Sequence, residues 1–147
     1  MRLSMIAAVP WNPKRAIRRC EPIPDQSRMM EYRLQPVAIT MGDPVGIGPE
    51  IISKALCDPR VTACCLPVVY GDAERLRSGA RLCDADLCVE QVASIRDARH
   101  GGPHVTVVNP HPMDASALSW GQPCAESGAA MAAYLEAAID DALDGRV

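Results

Sequence analysis

From residue 36 onward, apolar positions come in short blocks that alternate between strand-like runs and helical spacing. Val37–Thr40 is a short apolar run of strand type. A helix-compatible block follows in Ile51, Ile52, Ala55 and Leu56, starting at Pro49, whose missing N–H is no loss at a first helical position. Asp58-Pro59 ends it. Leu66–Tyr70 reads as a second strand, and Gly71-Asp72 as the turn into a second helix, with Asp72 a plausible N-cap and Leu76, Ala80 and Cys83 on one face. Leu87–Val92 and Val105–Val108 are strand candidates separated by the turn-rich Arg99–Pro103. A loop through Pro110, Pro112, Gly121 and Pro123 leads to a helix from about Ala125 to Leu143. That helix places Met131, Leu135, Ile139 and Leu143 on one stripe and ends at Gly145. The alternation predicts an α/β layer with a substantially parallel sheet. The pattern stops where a further strand is expected, so the first part of a larger architecture is predicted.

Residues 1–35 follow a different rule. They hold four prolines, six arginines and one lysine, with a basic cluster at Lys14, Arg15, Arg18 and Arg19. We read 1–35 as a basic, poorly ordered extension and 36–147 as the α/β portion. A start at Met29 or Met30 would remove the extension without touching the fold. The apolar part of Met1–Val9 is short for a signal peptide and is cut by Pro10–Pro13. No run approaches the roughly 18 apolar residues of a membrane span.

Composition narrows the function classes. The 147 residues are 48% hydrophobic and 22% charged, which is ordinary for a globular domain. A formal charge of −3 and 3% aromatic residues give neither the field nor the stacking platforms for nucleic acid. The seven cysteines are odd in number, form no C-x-x-C pair and mostly fall in apolar segments, so they are expected to be packed thiols in a reduced, cytoplasmic setting. Cys64 and Cys65 read as strand-flanking core thiols.

The stretch Met41–Glu50 carries the chemistry. It lies between the first strand and first helix, with glycines at 42, 46 and 48 that permit close backbone approach and prolines at 44 and 49 that stiffen it. A glycine loop before a helix invites a phosphate cradle. Here no Lys-Ser/Thr follows the last glycine, and G-x-x-x-G-x-G is not the G-x-G-x-x-G dinucleotide fingerprint. Asp43 and Glu50 also put negative charge where a phosphate would sit. A ribose, a nicotinamide edge or a substrate hydroxyl suits the loop better, and a tight turn with no ligand is the bland alternative. Asp72 fits either an adenosine-ribose role or an N-cap. His100, His104 and His111 invite a metal reading, but Gly101-Gly102-Pro103 prevents the helical spacing that would put two imidazoles on one face, and surface-loop histidines are expected.

Val37–Ile51 resembles the amino-terminal signature of the 4-hydroxythreonine-4-phosphate dehydrogenase family, and its Gly46–Glu50 core resembles, more loosely, that of isopropylmalate and isocitrate dehydrogenases. Gly121-Gln122 with Glu126 and Gly128 resembles a second family segment, Gly-Gln-x-x-x-Glu-x-Gly. Tyr70-Gly71-Asp72 falls where the family has a strand-ending turn. The resemblance spans about 36–147 and implies the amino-terminal part of a two-lobed isopropylmalate-dehydrogenase-like α/β fold, incomplete in this chain. It further implies NAD- or NADP-dependent oxidation of 4-hydroxythreonine 4-phosphate, or a related phosphorylated hydroxy acid, in pyridoxal phosphate biosynthesis. A divalent metal such as Zn, Mg or Co would polarise the alcohol, and the assembly would be a homodimer with the active site in a cleft. The family's substrate-binding His-Thr pair, metal-binding histidines and phosphate-holding Lys and Arg lie downstream of the matched segment, so no catalytic or metal residue carries over. Only Gly42, Asp43, Gly46, Ile47, Gly48 and Glu50 carry over, as a cofactor-proximal element. The chain is expected to be inactive alone. Two alternatives stay open: a relative acting on phosphorylated threonate or erythronate or on an aromatic cis-diol, and a non-enzymatic remnant or interaction module that joins a separate carboxy-terminal half.

Overall fold

In a computed structural model of the chain, residues 34–98 and 104–147 are described; the basic extension at 1–33 and the turn at 99–103 lie outside these residues. Four strands, β1 (Pro36–Thr40), β2 (Leu66–Tyr70), β3 (Cys88–Val92) and β4 (His104–Val108), form one all-parallel sheet in the order β1-β2-β4-β3. The helices are α1 (Gly48–Leu56), the short α2 (Pro59–Thr62), α3 (Ala73–Leu82) and α4 (Ala125–Leu143). The parallel α/β class read from the sequence is what forms. The skipped position is new: the chain passes from β2 over to β3 and returns to insert β4 between them.

Val68, Val69, Tyr70, Val105, Val107 and Val108 are buried, as expected of strands covered on both faces. Strand alternation sends Val69 and Tyr70 to opposite faces. Tyr70 points to α4, where its hydroxyl donates to Asp141 Oδ2 at 2.5 Å. Crossovers β1-α1-β2 and β2-α3-β3 move in the same direction, so right-handedness places α1 and α3 on one face. They pack closely there: a Cβ on Gly79 would lie 2.7 Å from Pro49 Cβ, and buried Ser53 bonds Pro49 O at 2.7 Å while its Oγ also reaches Leu76 O at 3.4 Å.

The caps follow local chemistry. Asp72 accepts from Arg75 N at 2.8 Å and Asp58 from Arg60 N at 2.9 Å, so the Asp-Pro that ends α1 also starts α2. Cys124 and Ser127 exchange side-chain and backbone bonds at the head of α4. By contrast, α1 begins at Ile47 with no side-chain cap.

The cysteines depart from the sequence expectation. Cys57, Cys64, Cys88 and Cys124 are exposed and Cys65 and Cys83 half-buried, so the described thiols are not core groups. They sit at helix ends and turns and at the start of an edge strand, where apolar neighbours in sequence do not mean burial. On α4 the residues turned inward are Ser127, Ala130, Tyr134, Ala138 and Asp141, while the Met131–Leu143 stripe faces out. Among the described residues, no helix is long and apolar enough to cross a membrane.

The junction between β1 and α1 leaves no slack. Met41 N donates to Tyr70 O at 2.9 Å, and a Cβ on Gly48 would fall 2.0 Å from Met41 O. Gly48→Ala is therefore expected to cost more than ~3 kcal/mol in chemical denaturation, because the obstacle is backbone. Gly42→Ala, at φ +72° with open space around it, is expected to cost only ~1 kcal/mol.

Tyr70 and Tyr134 are both fully buried, and burial pushes both phenols well above their ordinary value. Tyr70 donates to a carboxylate; the Tyr134 hydroxyl finds no partner among the described residues. Tyr70→Phe is expected to destabilise by about 1–3 kcal/mol and Tyr134→Phe to be neutral or slightly stabilising. A raised native phenol pKa contributes stability that is complete below the ordinary tyrosine value and lost as pH rises toward the native one. Stability should then fall above about pH 10, with tyrosinate absorbance from these two rings developing only as the chain unfolds.

Candidate functional site at the carboxyl ends of the strands

In a parallel sheet every strand delivers its following loop to the same edge, and a crevice opens where neighbouring strands send their connections to opposite faces. Here that place is between β2 and β4. Asp72, directly after β2, and Asn109, directly after β4, meet across it, with Asn109 Nδ2 donating to Asp72 Oδ2 at 3.1 Å. Gly71 N donates to Val108 O at 3.0 Å, which holds the two strand ends level.

The glycine loop borders this crevice. Asp43 Oδ1 accepts from Val45 N at 3.0 Å and Asp43 O from Gly46 N at 2.9 Å, so the Asp43 side chain shapes its own turn. Pro44 and Val45 are buried, while Ile47 is 65% exposed at the head of α1. The N–H groups of Ile47 and Gly48 form no hydrogen bond among the described residues. Glu50 lies in the first turn of α1, half-buried, and with Asp43 it keeps this helix start acidic. The six residues Gly42, Asp43, Gly46, Ile47, Gly48 and Glu50 thus form one continuous rim around an uncapped helix start.

A second wall comes from residues 113–121. Buried Arg75 on α3 donates through Nη2 to Ala115 O at 2.6 Å and to Leu118 O, and its guanidinium lies 4.7 Å from the centre of the Trp120 ring. Gly121 N then donates to Val45 O at 2.8 Å, tying this wall to the glycine loop. Arg75 Nε is buried and finds no partner among the described residues. Arg75 and Asn109 were not singled out from sequence, since an arginine in a first helical turn and an Asn-Pro after a strand look like ordinary surface and turn residues. Gly121 was read for its place in a motif, and its contact with Val45 gives that place a structural reason.

The other candidates resolve differently. Asp72 is buried with both oxygens engaged, one as N-cap to Arg75 N and one with Asn109, in keeping with the N-cap reading. His104 is the first residue of β4, not a loop residue, with Nε2 3.6 Å from Glu90 Oε2; the His111 N–H donates to Asn109 Oδ1 at 3.2 Å; His100 lies outside the described residues. No group of three His, Cys, Asp or Glu side chains able to hold a metal ion occurs among the described residues, so those residues do not fit a metal. An open cleft of about 530 Å³ lies between Ser94, Val108 and Pro110, on either side of Asn109, and the end of α4 at Asp140 with Asp144 and Arg146 just beyond it. It shares no residue with the glycine loop.

The chain matches no family model. It is 37% identical over 111 residues to a 4-hydroxythreonine-4-phosphate dehydrogenase of Desulforapulum autotrophicum and 34% identical over 111 residues to a D-threonate 4-phosphate dehydrogenase of Cupriavidus necator. Each match covers 76% of this chain and 33% of the relative. The crystal structure of a 4-hydroxythreonine-4-phosphate dehydrogenase from Burkholderia phymatum superposes with TM-score 0.73 at 28% identity, over 79% of this chain and 35% of that one. A terephthalate 1,2-cis-dihydrodiol dehydrogenase from Burkholderia xenovorans superposes with TM-score 0.57 at 34% identity, over 78% of this chain and 32% of that one. Over about three quarters of its own length the chain is thus similar to 4-hydroxythreonine-4-phosphate and D-threonate 4-phosphate dehydrogenases, and it spans about a third of the length of these relatives, an amino-terminal portion.

Proposed function

We propose that this chain forms the cofactor-proximal wall of a nicotinamide-dependent dehydrogenase acting on a small phosphorylated hydroxy acid, 4-hydroxythreonine 4-phosphate or D-threonate 4-phosphate. The observation that carries this reading is the rigid glycine loop at the carboxyl end of β1, set beside the strand-order reversal in a fold that matches dehydrogenases. Nicotinamide, when bound, accepts hydride from the carbon bearing the secondary alcohol. The exposed Ile47 side chain offers an apolar rest for a planar ring, and the free N–H groups of Ile47 and Gly48 offer donors to an amide or hydroxyl. Asp43 and Glu50 direct the phosphates of substrate and cofactor away from this loop, toward groups that the other two thirds of the family fold would supply. NAD is the cofactor we assign. No group of side chains able to hold a metal ion occurs among the described residues, and on this reading the chain orients a cofactor without reacting alone.

A cis-diol substrate is the second reading, favoured by the superposition on the cis-dihydrodiol dehydrogenase. It needs no phosphate site, and substrate profiling of a complete assembly separates the two.

With purified chain, divalent metal, NAD and 4-hydroxythreonine 4-phosphate, no reduced nicotinamide should accumulate; measurable NADH would overturn the claim of inactivity. In a nitrogen–proton correlation spectrum, NADH should shift the amide signals of Gly42, Ile47 and Gly48 first. Shifts confined to the cleft near Asp140 and Arg146, or none at millimolar NADH, would remove the loop's assigned role.

A further inference from the structure

Helix α4 carries two apolar faces. One, formed by Ala130, Tyr134 and Ala138, is buried against the sheet. The other consists of Met131, Leu135, Ile139 and Leu143 at four-residue steps, 44%, 52%, 48% and 81% exposed. Single exposed leucines are ordinary, but four large aliphatic side chains along a helix length of about 18 Å make one continuous seam. A helix apolar on both sides is built to be covered on both sides.

The rim indicates what covers it. Every charged residue from Ala125 to Asp144 is acidic: Glu126, Glu136, Asp140, Asp141 and Asp144. Glu136 and Asp140, both exposed, flank the seam. Pairing α4 with the α4 of a second copy would press these carboxylates together, and like charges across a contact oppose it. An anionic lipid surface is repelled for the same reason. The occupant is therefore aliphatic with a neutral or basic rim. The relatives offer a source: each match covers about a third of the relative, so about two thirds of their fold lies outside it.

Resting on the family reading above, we propose that the Met131–Leu135–Ile139–Leu143 stripe is the seat of the remaining two thirds of the family fold. Lysine or arginine on that portion would face Glu136 and Asp140, whether the portion belongs to the same polypeptide or to another. Helix α4 is then the middle layer of the complete dehydrogenase rather than its surface.

The test compares one pair of substitutions in two settings. Leu135→Glu with Ile139→Glu is introduced into this chain alone and into a fusion of residues 34–147 to the remaining two thirds of the Cupriavidus necator relative. The expected result is a Tm change under ~2 °C in the chain alone, where the stripe meets water, and a fall of more than ~10 °C in the fusion, where it is covered. Co-expressed as separate polypeptides, the chain and that portion should co-purify, and the double substitution should abolish it. Equal small shifts in both settings, a fusion that does not fold with the native stripe, or a dimer of this chain that the substitutions dissolve would each overturn the proposal. A fusion that melts as expected but oxidises no phosphorylated hydroxy acid contradicts the proposed function and leaves the docking assignment standing.

Discussion

The close approach of Gly48 to the Met41 carbonyl is the constraint on which the rest of the molecule depends. A hydrogen is all that fits at that Cα, with a Cβ placed 2.0 Å from the carbonyl oxygen. Met41 in turn is held by Tyr70 O and packs against Gly71, where a Cβ would meet its side chain at 2.7 Å. The start of α1, the end of β1 and the turn after β2 are thus one interlocked unit. The loop between them inherits its position from the sheet, so a ligand that meets it meets a preformed wall and little ordering entropy is lost there.

Strand order supplies the second half of the site. Because β4 inserts between β2 and β3, the loops after β2 and β4 part company, and the Asp72–Asn109 bond closes the floor of the gap. Arg75 extends the same unit outward by fixing residues 115–120, which Gly121 ties back to Val45. A buried arginine spent on backbone carbonyls and an indole face does structural work, and it does so where the crevice needs a rim.

Much of this was legible in the sequence. Short β-branched runs marked β1, β2 and β4; Asp72 was readable as an N-cap; and α4 formed over the predicted Ala125–Leu143, because turn residues and helical spacing act locally. Strand order was not legible, since it follows from which β–α units pack together. The orientation of α4 escaped for a different reason. Its inward face is made of the small Ser127, Ala130 and Ala138 together with Tyr134 and Asp141, while its bulkiest aliphatics point away. Periodicity reveals that a helix has an apolar face without saying which of two faces the core takes. The cysteines misled similarly, because apolar sequence neighbours do not bury a residue at a helix end. Of the candidate site, the glycine loop was visible as a motif, whereas Arg75 and Asn109 acquire meaning only through partners 40 and 37 residues away.

The account stands or falls on whether this chain can serve as the amino-terminal third of a working dehydrogenase. The direct measurement is NADH formation by the fusion of residues 34–147 to the remaining two thirds of the Cupriavidus necator relative, with D-threonate 4-phosphate, NAD and a divalent metal. The account predicts turnover that disappears with Gly48→Ala. A fusion that folds and binds NADH yet oxidises neither D-threonate 4-phosphate nor 4-hydroxythreonine 4-phosphate would contradict it.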